Sequence, residues 1–185
     1  KRRIFNHCRY IQKKLFENLL VIDDEETIMS KRYKDYCNIE SLEIPLTTTE
    51  FEDNVLSSFS KIRFLKCNPS LFKQLKCADS IEVVFIPEGI TKIKKDDFSL
   101  LKNLRFLDVP KTVNEIEQDS FINCTFLDTI KCLKLHLSFL PKLKIKSLIL
   151  YNDNEDLSFQ LDEHDLDGYT NLERLKVPTN ISKVH

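Results

Sequence analysis

Ile81-Glu82-Val83-Val84-Phe85-Ile86-Pro87 and Leu104-Arg105-Phe106-Leu107-Asp108-Val109-Pro110 share one pattern. Each is apolar at its first, fourth and sixth residues and closes on proline, as does Leu172-Glu173-Arg174-Leu175-Lys176-Val177-Pro178. The step from Ile81 to Leu104 sets a trial period. Self-similarity at such a fixed period is the mark of a repeat protein. Setting the first residue of the pattern as position zero gives anchors at Ile11, Ile39, Ile62, Ile81, Leu104, Leu127, Ile145 and Leu172, with spacings of 28, 23, 19, 23, 23, 18 and 27. Residues 1–185 thus read as one domain of about eight turns, cut within a repeat at both ends.

Fixed offsets from the anchors test the register. Three residues on stand Lys14, Leu42, Leu65, Val84, Leu107, Ile130, Leu148 and Leu175; five on stand Phe16, Ile44, Cys67, Ile86, Val109, Cys132, Leu150 and Val177. Only Lys14 breaks these columns. Six residues before the anchor the column runs Phe5, Tyr33, Leu56, Leu75, Phe98, Phe121, Phe139, Leu166; three before, it runs Cys8, Tyr36, Phe59, Ala78, Leu101, Cys124, Lys142, Tyr169. One residue after the anchor no position is apolar, and from Glu40 through Arg63, Glu82, Arg105, Asp128 and Lys146 to Glu173 the sign alternates. Neighbouring rungs of a parallel sheet favour such alternation by a few tenths of a kcal/mol per exposed pair.

Each turn is therefore expected to carry one short strand facing a core at offsets zero, three and five. A single turn cannot bury itself, so turns stack at about 4.8 Å into a continuous sheet over a continuous core. Pro45, Pro87, Pro110 and Pro178 end their strands because proline brings no N–H to the ladder. The long turns are expected to hold their extra residues at Asp23–Glu26 and Asn152–Asp156.

Ile86-Pro87-Glu88-Gly89-Ile90-Thr91-Lys92-Ile93 followed by Phe98, and Val109-Pro110-Lys111-Thr112-Val113-Asn114-Glu115-Ile116 followed by Phe121 and Cys124, resemble BspA-like leucine-rich repeats. The resemblance implies a right-handed β/α solenoid with a parallel concave β-sheet and little helix. It brings no catalytic residues and no cofactor, and fold alone does not give function.

Composition narrows the function classes. With 2 glycines among 185 residues, glycine-rich phosphate loops are nearly excluded. Lys+Arg 28 against Asp+Glu 29 leaves a net charge of -1, too little field to hold a phosphate backbone, so no nucleic-acid partner is expected. No apolar run reaches the roughly 18 residues of a membrane span, so no membrane insertion is expected.

Candidate chemistry reads mostly as structure. Of six cysteines, four fall in core columns, and there is no CxxC. Cys67 and Cys132 would stand three rungs apart, roughly 14 Å, beyond disulfide reach. Unpaired cysteines suit a reducing compartment and tilt the reading toward cytoplasm over cell surface. His7, His136, His164 and His185 sit at unrelated offsets and assemble no triad or metal site. Asn152–Asp156 is rich in oxygen but lacks the glycine turn and distal glutamate of a calcium loop.

Offsets two and four should face outward on the concave sheet. They bring Phe64, Val83, Phe85 and Phe106 onto three adjacent rungs, rimmed by Lys66, Asp108 and Lys131. Left in water, three rings and a valine would make an apolar patch of a few hundred Å². The expected function is a non-catalytic module that binds a protein partner on this surface. The alternatives are a cell-surface adhesion or ligand-recognition domain, and regulatory repeats attached to a catalytic domain. End-to-end self-association of the cut solenoid is a further expectation.

Overall fold

The computed structural model describes residues 18–184 except 26, 31, 32, 34, 54, 76, 153–158, 179 and 180. Its main feature is an eight-stranded parallel sheet. In spatial order the strands are β1 (Leu19–Val21), β3 (Ser41–Glu43), β5 (Phe64–Lys66), β6 (Val83–Phe85), β8 (Phe106–Asp108), β10 (Thr129–Leu133), β11 (Ser147–Tyr151) and β13 (Arg174–Lys176). Consecutive repeats are spatial neighbours throughout, as a solenoid requires. The fold is the expected leucine-rich-repeat solenoid with a concave parallel sheet, and among the described residues no helix is long and apolar enough to cross a membrane.

The register follows the expected columns from Ile39 onward. Leu42 pairs with Leu65, Leu65 with Val84, Val84 with Leu107, Leu107 with Ile130, Ile130 with Leu148 and Leu148 with Leu175. Leu65, Val84, Leu107, Ile130 and Leu148 are at most 1% exposed. Burial of each such side chain contributes about 1.5–3 kcal/mol, which lets strands of only three residues hold.

The first turn departs from expectation. The anchor Ile11 lies outside the described residues, and the strand that pairs with β3 is β1, with Leu20 opposite Leu42. Position zero of that turn is then Glu17, which brings the first turn close to the ordinary repeat length before Ile39. Register follows what can be buried. Leu20 and Ile22 fill offsets three and five, where the anchor at Ile11 would have put Lys14. The stretch holding Asp23 to Glu26 therefore adds no residues, since β2 pairs with β4 in the same register that sets Leu20 opposite Leu42.

Proline at offset six ends a strand, though it is not the sole stop. Where Pro45, Pro87, Pro110 and Pro178 stand there the strands span three residues, as they also do where Asp23 or Asn68 holds the position. β10 and β11 carry Leu133 and Tyr151 there, and both run to five residues, ending on a Leu133–Tyr151 pair.

On the opposite wall lie three two-stranded sheets: β2 (Ile28–Met29) with β4 (Glu50–Phe51), β7 (Lys92–Ile93) with β9 (Glu115–Ile116), and β12 (Phe159–Leu161) with β14 (Ile181–Val184). β2, β4, β7 and β9 each start eleven residues after their zero position. β12 starts fourteen after Ile145, so the extra residues of that turn fall between β11 and β12, as expected. Among the described residues the two short turns have no second strand; each carries a six-residue 3-10 helix instead, Pro69–Gln74 or Lys134–Phe139.

Long, long and short turns thereby alternate as a block. Leu19, Val83 and Ser147, which open β1, β6 and β11, are evenly spaced along the chain. The solenoid has a three-turn period superimposed on the single turn.

Beneath the return loops, Phe72, Phe98 and Phe121 form an edge-to-face ladder with centroids 5.1 Å apart at both steps. Phe139 was expected to continue it. Instead it is 41% exposed, and Leu137 and Leu140 are buried in that turn. This turn is one residue shorter than the turn anchored at Ile62, so Leu140, thirteen residues after Leu127, takes the place of buried Leu75, thirteen after Ile62, and Phe139 falls one residue before it. Tyr36, another expected core position, is half exposed and packs on the Tyr33 ring at 6.2 Å.

Candidate functional site

Offsets two and four form two rows across the concave face. The first runs Ser41, Phe64, Val83, Phe106, Thr129, Ser147; the second runs Glu43, Lys66, Phe85, Asp108, Lys131, Ile149. All seven residues singled out from the sequence therefore lie on the neighbouring strands β5, β6, β8 and β10. Phe64, Val83 and Phe106, with Phe85 packed on them, form an apolar cluster separate from the main core. The sheet's backbone lies between the two clusters, because alternate side chains leave opposite faces.

Exposure differs from expectation. Phe64, Val83 and Phe106 are each 8% exposed rather than left in water, and Phe85 is half-buried. Rungs about 4.8 Å apart put neighbouring side chains in contact, and inward curvature draws them closer. The Phe85 and Phe106 rings lie 5.7 Å apart at 48°.

Ion pairs flank the cluster on both sides, each joining adjacent rungs of the second row. Lys66 Nζ bonds the Glu43 carboxylate on one side, and on the other Lys131 Nζ donates to Asp108 Oδ2 at 2.8 Å. The latter pair is nearly covered, with the Lys131 and Asp108 side chains 15% and 9% exposed. Tyr151 completes it: its hydroxyl donates to Asp108 Oδ1, and the Lys131 ammonium sits 4.4 Å from its ring centroid. Burial, then the adjacent Asp108 charge, pushes the Tyr151 hydroxyl well above the ordinary phenol range, so it stays a donor. The sequence reading missed Tyr151, although the absent proline at its position was the available signal.

Along the edge where the strands begin, the alternating charges form a ladder. The backbone N–H of Arg63, Glu82, Arg105, Asp128, Lys146 and Glu173 each donates to the carbonyl of the preceding charged residue, at 2.8–3.2 Å. Arg63 Nη2 reaches Glu82 Oε2 at 2.6 Å, while the Arg105 guanidinium lies over the Phe126 ring at 5.4 Å.

Among the described residues no three His, Cys, Asp or Glu side chains could share a metal ion. His164 is exposed and meets Asp167 Oδ2 at 3.0 Å. His136 is buried: Nε2 bonds the Val113 carbonyl at 2.9 Å, and Nδ1 accepts the Leu133 N–H at 3.3 Å. Cys37, Cys67, Cys77, Cys124 and Cys132 are free, while Cys8 lies outside the described residues, as do Asp153 to Asp156 of the acidic loop.

A family model described as the BspA type leucine rich repeat region matches in six copies, spanning residues 1–78, 26–134 and 71–185. Among solved structures, the chain is similar to the crystal structure of a T. pallidum leucine-rich-repeat protein. That likeness has 16% identity and a TM-score of 0.38, over 85% of this chain and 68% of the other. No curated protein matches the chain.

Proposed function

Because the chain belongs to the BspA-type leucine-rich-repeat family, we propose that it is a non-catalytic interaction module that holds a protein partner against its concave sheet. The observation that carries this reading is the apolar quartet Phe64, Val83, Phe85 and Phe106 on the face turned away from the core, with an ion pair on either side. A shallow apolar centre with a charged rim is the usual anatomy of a protein-binding patch. The near-neutral net charge favours protein over nucleic acid as the partner.

The rings also pack on one another, so removing all of them costs stability as well as binding. Phe85 is the more exposed ring and the better probe. A photo-crosslinking amino acid at Phe85 should join the module to a discrete partner in extract from its source cells, whereas one at Thr112 should not. Phe85→Ser, at the more exposed ring, should weaken that capture while the circular dichroism spectrum stays unchanged. Equal labelling from both positions, or capture indifferent to Phe85→Ser, rejects the concave site.

A further inference from the structure

We propose that the chain carries a second binding site, on the flank where the return loops run, which takes a short acidic peptide segment bearing two or three large apolar side chains. The site is independent of the concave face. It lies where the short turn anchored at Leu127 follows the long turn anchored at Leu104. Between the loops 118–122 and 138–144 is a groove of about 520 Å³, walled by Ile122, Phe139, Pro141 and Leu143 and flanked by Lys142 and Lys144.

The protein contains its own control for whether the fold needs apolar residues there. The three-turn blocks superimpose by register, so each groove residue has a counterpart one block earlier. Phe139 ends a 3-10 helix that starts seven residues after Leu127; Gln74 ends the matching helix, which starts seven residues after Ile62. Both helices bury their third and fourth residues, Leu71 and Phe72 in one, His136 and Leu137 in the other, and both are followed by a buried leucine. Ile122 stands five residues before its anchor, where the earlier block has Ser57; Leu143 stands two before, where the earlier block has Asp79. The earlier block thus builds the same turns with Ser57, Gln74 and Asp79. Ile122 is 60% exposed, Phe139 41% and Leu143 67%, so these side chains contribute little to the core beneath them. Three large apolar groups gathered where the fold accepts polar ones mark an interaction surface.

Charge selects the occupant. Lys142 Nζ donates to the Asp167 carbonyl at 2.7 Å and Lys144 Nζ to the Ile122 carbonyl at 3.3 Å. Lys142 Nζ also lies 5.5 Å from the Tyr169 ring centroid, so that ammonium is held toward the following turn, whereas Lys144 Nζ stays against Ile122 at the groove. Among the described residues neither lysine meets a carboxylate at ion-pair distance. Asp119, the acid in the groove lining, faces Lys95 at 3.8 Å. The groove therefore offers an incoming acid the Lys144 cation at its wall, with Lys142 at its rim. A groove, unlike a protruding wedge, fits a narrow chain.

A displayed library of random dodecapeptides, panned on the native chain and counter-selected on the variant Ile122→Ser, Phe139→Gln, Leu143→Asp, tests this. These replacements are the residues of the earlier block, so the variant should fold; an unchanged circular dichroism spectrum and melting temperature check it, and Leu143→Asp alone is the fallback. Enriched peptides should carry net negative charge and apolar residues three or four apart, and should bind the triple variant at least about ten-fold more weakly in fluorescence anisotropy. Lys142→Gln with Lys144→Gln should weaken them several-fold at low salt, and the difference should fade near about 0.5 M salt. Phe85→Ser should leave them bound, which separates this site from the concave one. Three results overturn the proposal: no enrichment over the variant, or enriched peptides that are basic; sedimentation showing a dimer of this chain that the triple variant abolishes; or sedimentation with phosphatidylserine vesicles that depends on the same residues.

Discussion

His136 Nε2 lies 2.9 Å from the carbonyl oxygen of Val113, so a side chain in one turn fastens the backbone of the turn before it. The same imidazole accepts the Leu133 N–H on Nδ1, which fixes the neutral tautomer with its proton on Nε2. Protonation of Nδ1 would break that bond inside the core. Burial accordingly lowers the pKa of His136 from its ordinary value of 6.5.

The direction of the pH effect follows. The unfolded chain takes up a proton near pH 6.5 while the folded chain resists it, so this stability is present above about 6.5 and is lost as pH falls toward the lower folded value. Thermal unfolding between pH 7.5 and 5 should show a drop in melting temperature that His136→Gln reduces. The variant itself should lose about 1–3 kcal/mol at pH 7.5 from its buried bonds. Parallel pH profiles for both proteins would exclude His136 as the source.

Arg105 lies between Glu82 and Asp128 in the charge ladder, on strands that pair directly through Val83, Phe106 and Thr129. Arg105→Glu should cost about 0.5–1.5 kcal/mol in low-salt denaturant titration, and less as salt rises. Part of that cost is loss of the Phe126 contact and should survive salt. A variant as stable as the parent at low salt would mean that this column carries no net interaction.

Thiol reactivity should divide by position. Cys67 and Cys132 are fully buried, and burial pushes both thiols up; Cys124 is raised to about 12 and Cys77 to about 11 by the same cause. Cys37 is exposed. A thiol-specific reagent should therefore label Cys37 well before Cys67, Cys124 and Cys132 in the native protein at pH 8, the three lagging by orders of magnitude. After denaturation without reductant all six cysteines of the chain should titrate. A bridge between Cys67 and Cys132 would contradict the rung spacing.

From Ile39 onward the sheet was legible in the sequence, because burial on one face imposes apolar residues at fixed offsets and a one-residue slip would expose them. The first turn was not, since Ile11 and Glu17 compete for position zero and the apolar anchor is the wrong choice; Leu20 and Ile22 settle it. Phe139 misled because the turn after Leu127 is one residue shorter than the turn after Ile62, so counting back from Ile145 lands on Phe139 while counting forward from Leu127 lands on buried Leu140. Phe64, Val83, Phe85 and Phe106 do share one face of the sheet apart from the core, yet the low exposure of Phe64 and Phe106 could not be read from spacing, which carries no curvature. Tyr151 escaped because its partner Asp108 is far away in the chain and two strands across the sheet.

The turn lengths repeat every three turns, whereas the edge charges repeat every two, and the mismatch works as a parity check. Splicing that skips one block, within a chain or by exchange between copies, would join the turn anchored at Ile62 to the one anchored at Ile145. Every apolar column would still be satisfied, which is how repeat proteins misassemble. The edge would then set Arg63 beside Lys146, two like charges on adjacent rungs in place of Arg63 beside Glu82. An error invisible to the core is thus written on the surface, where it carries an electrostatic penalty.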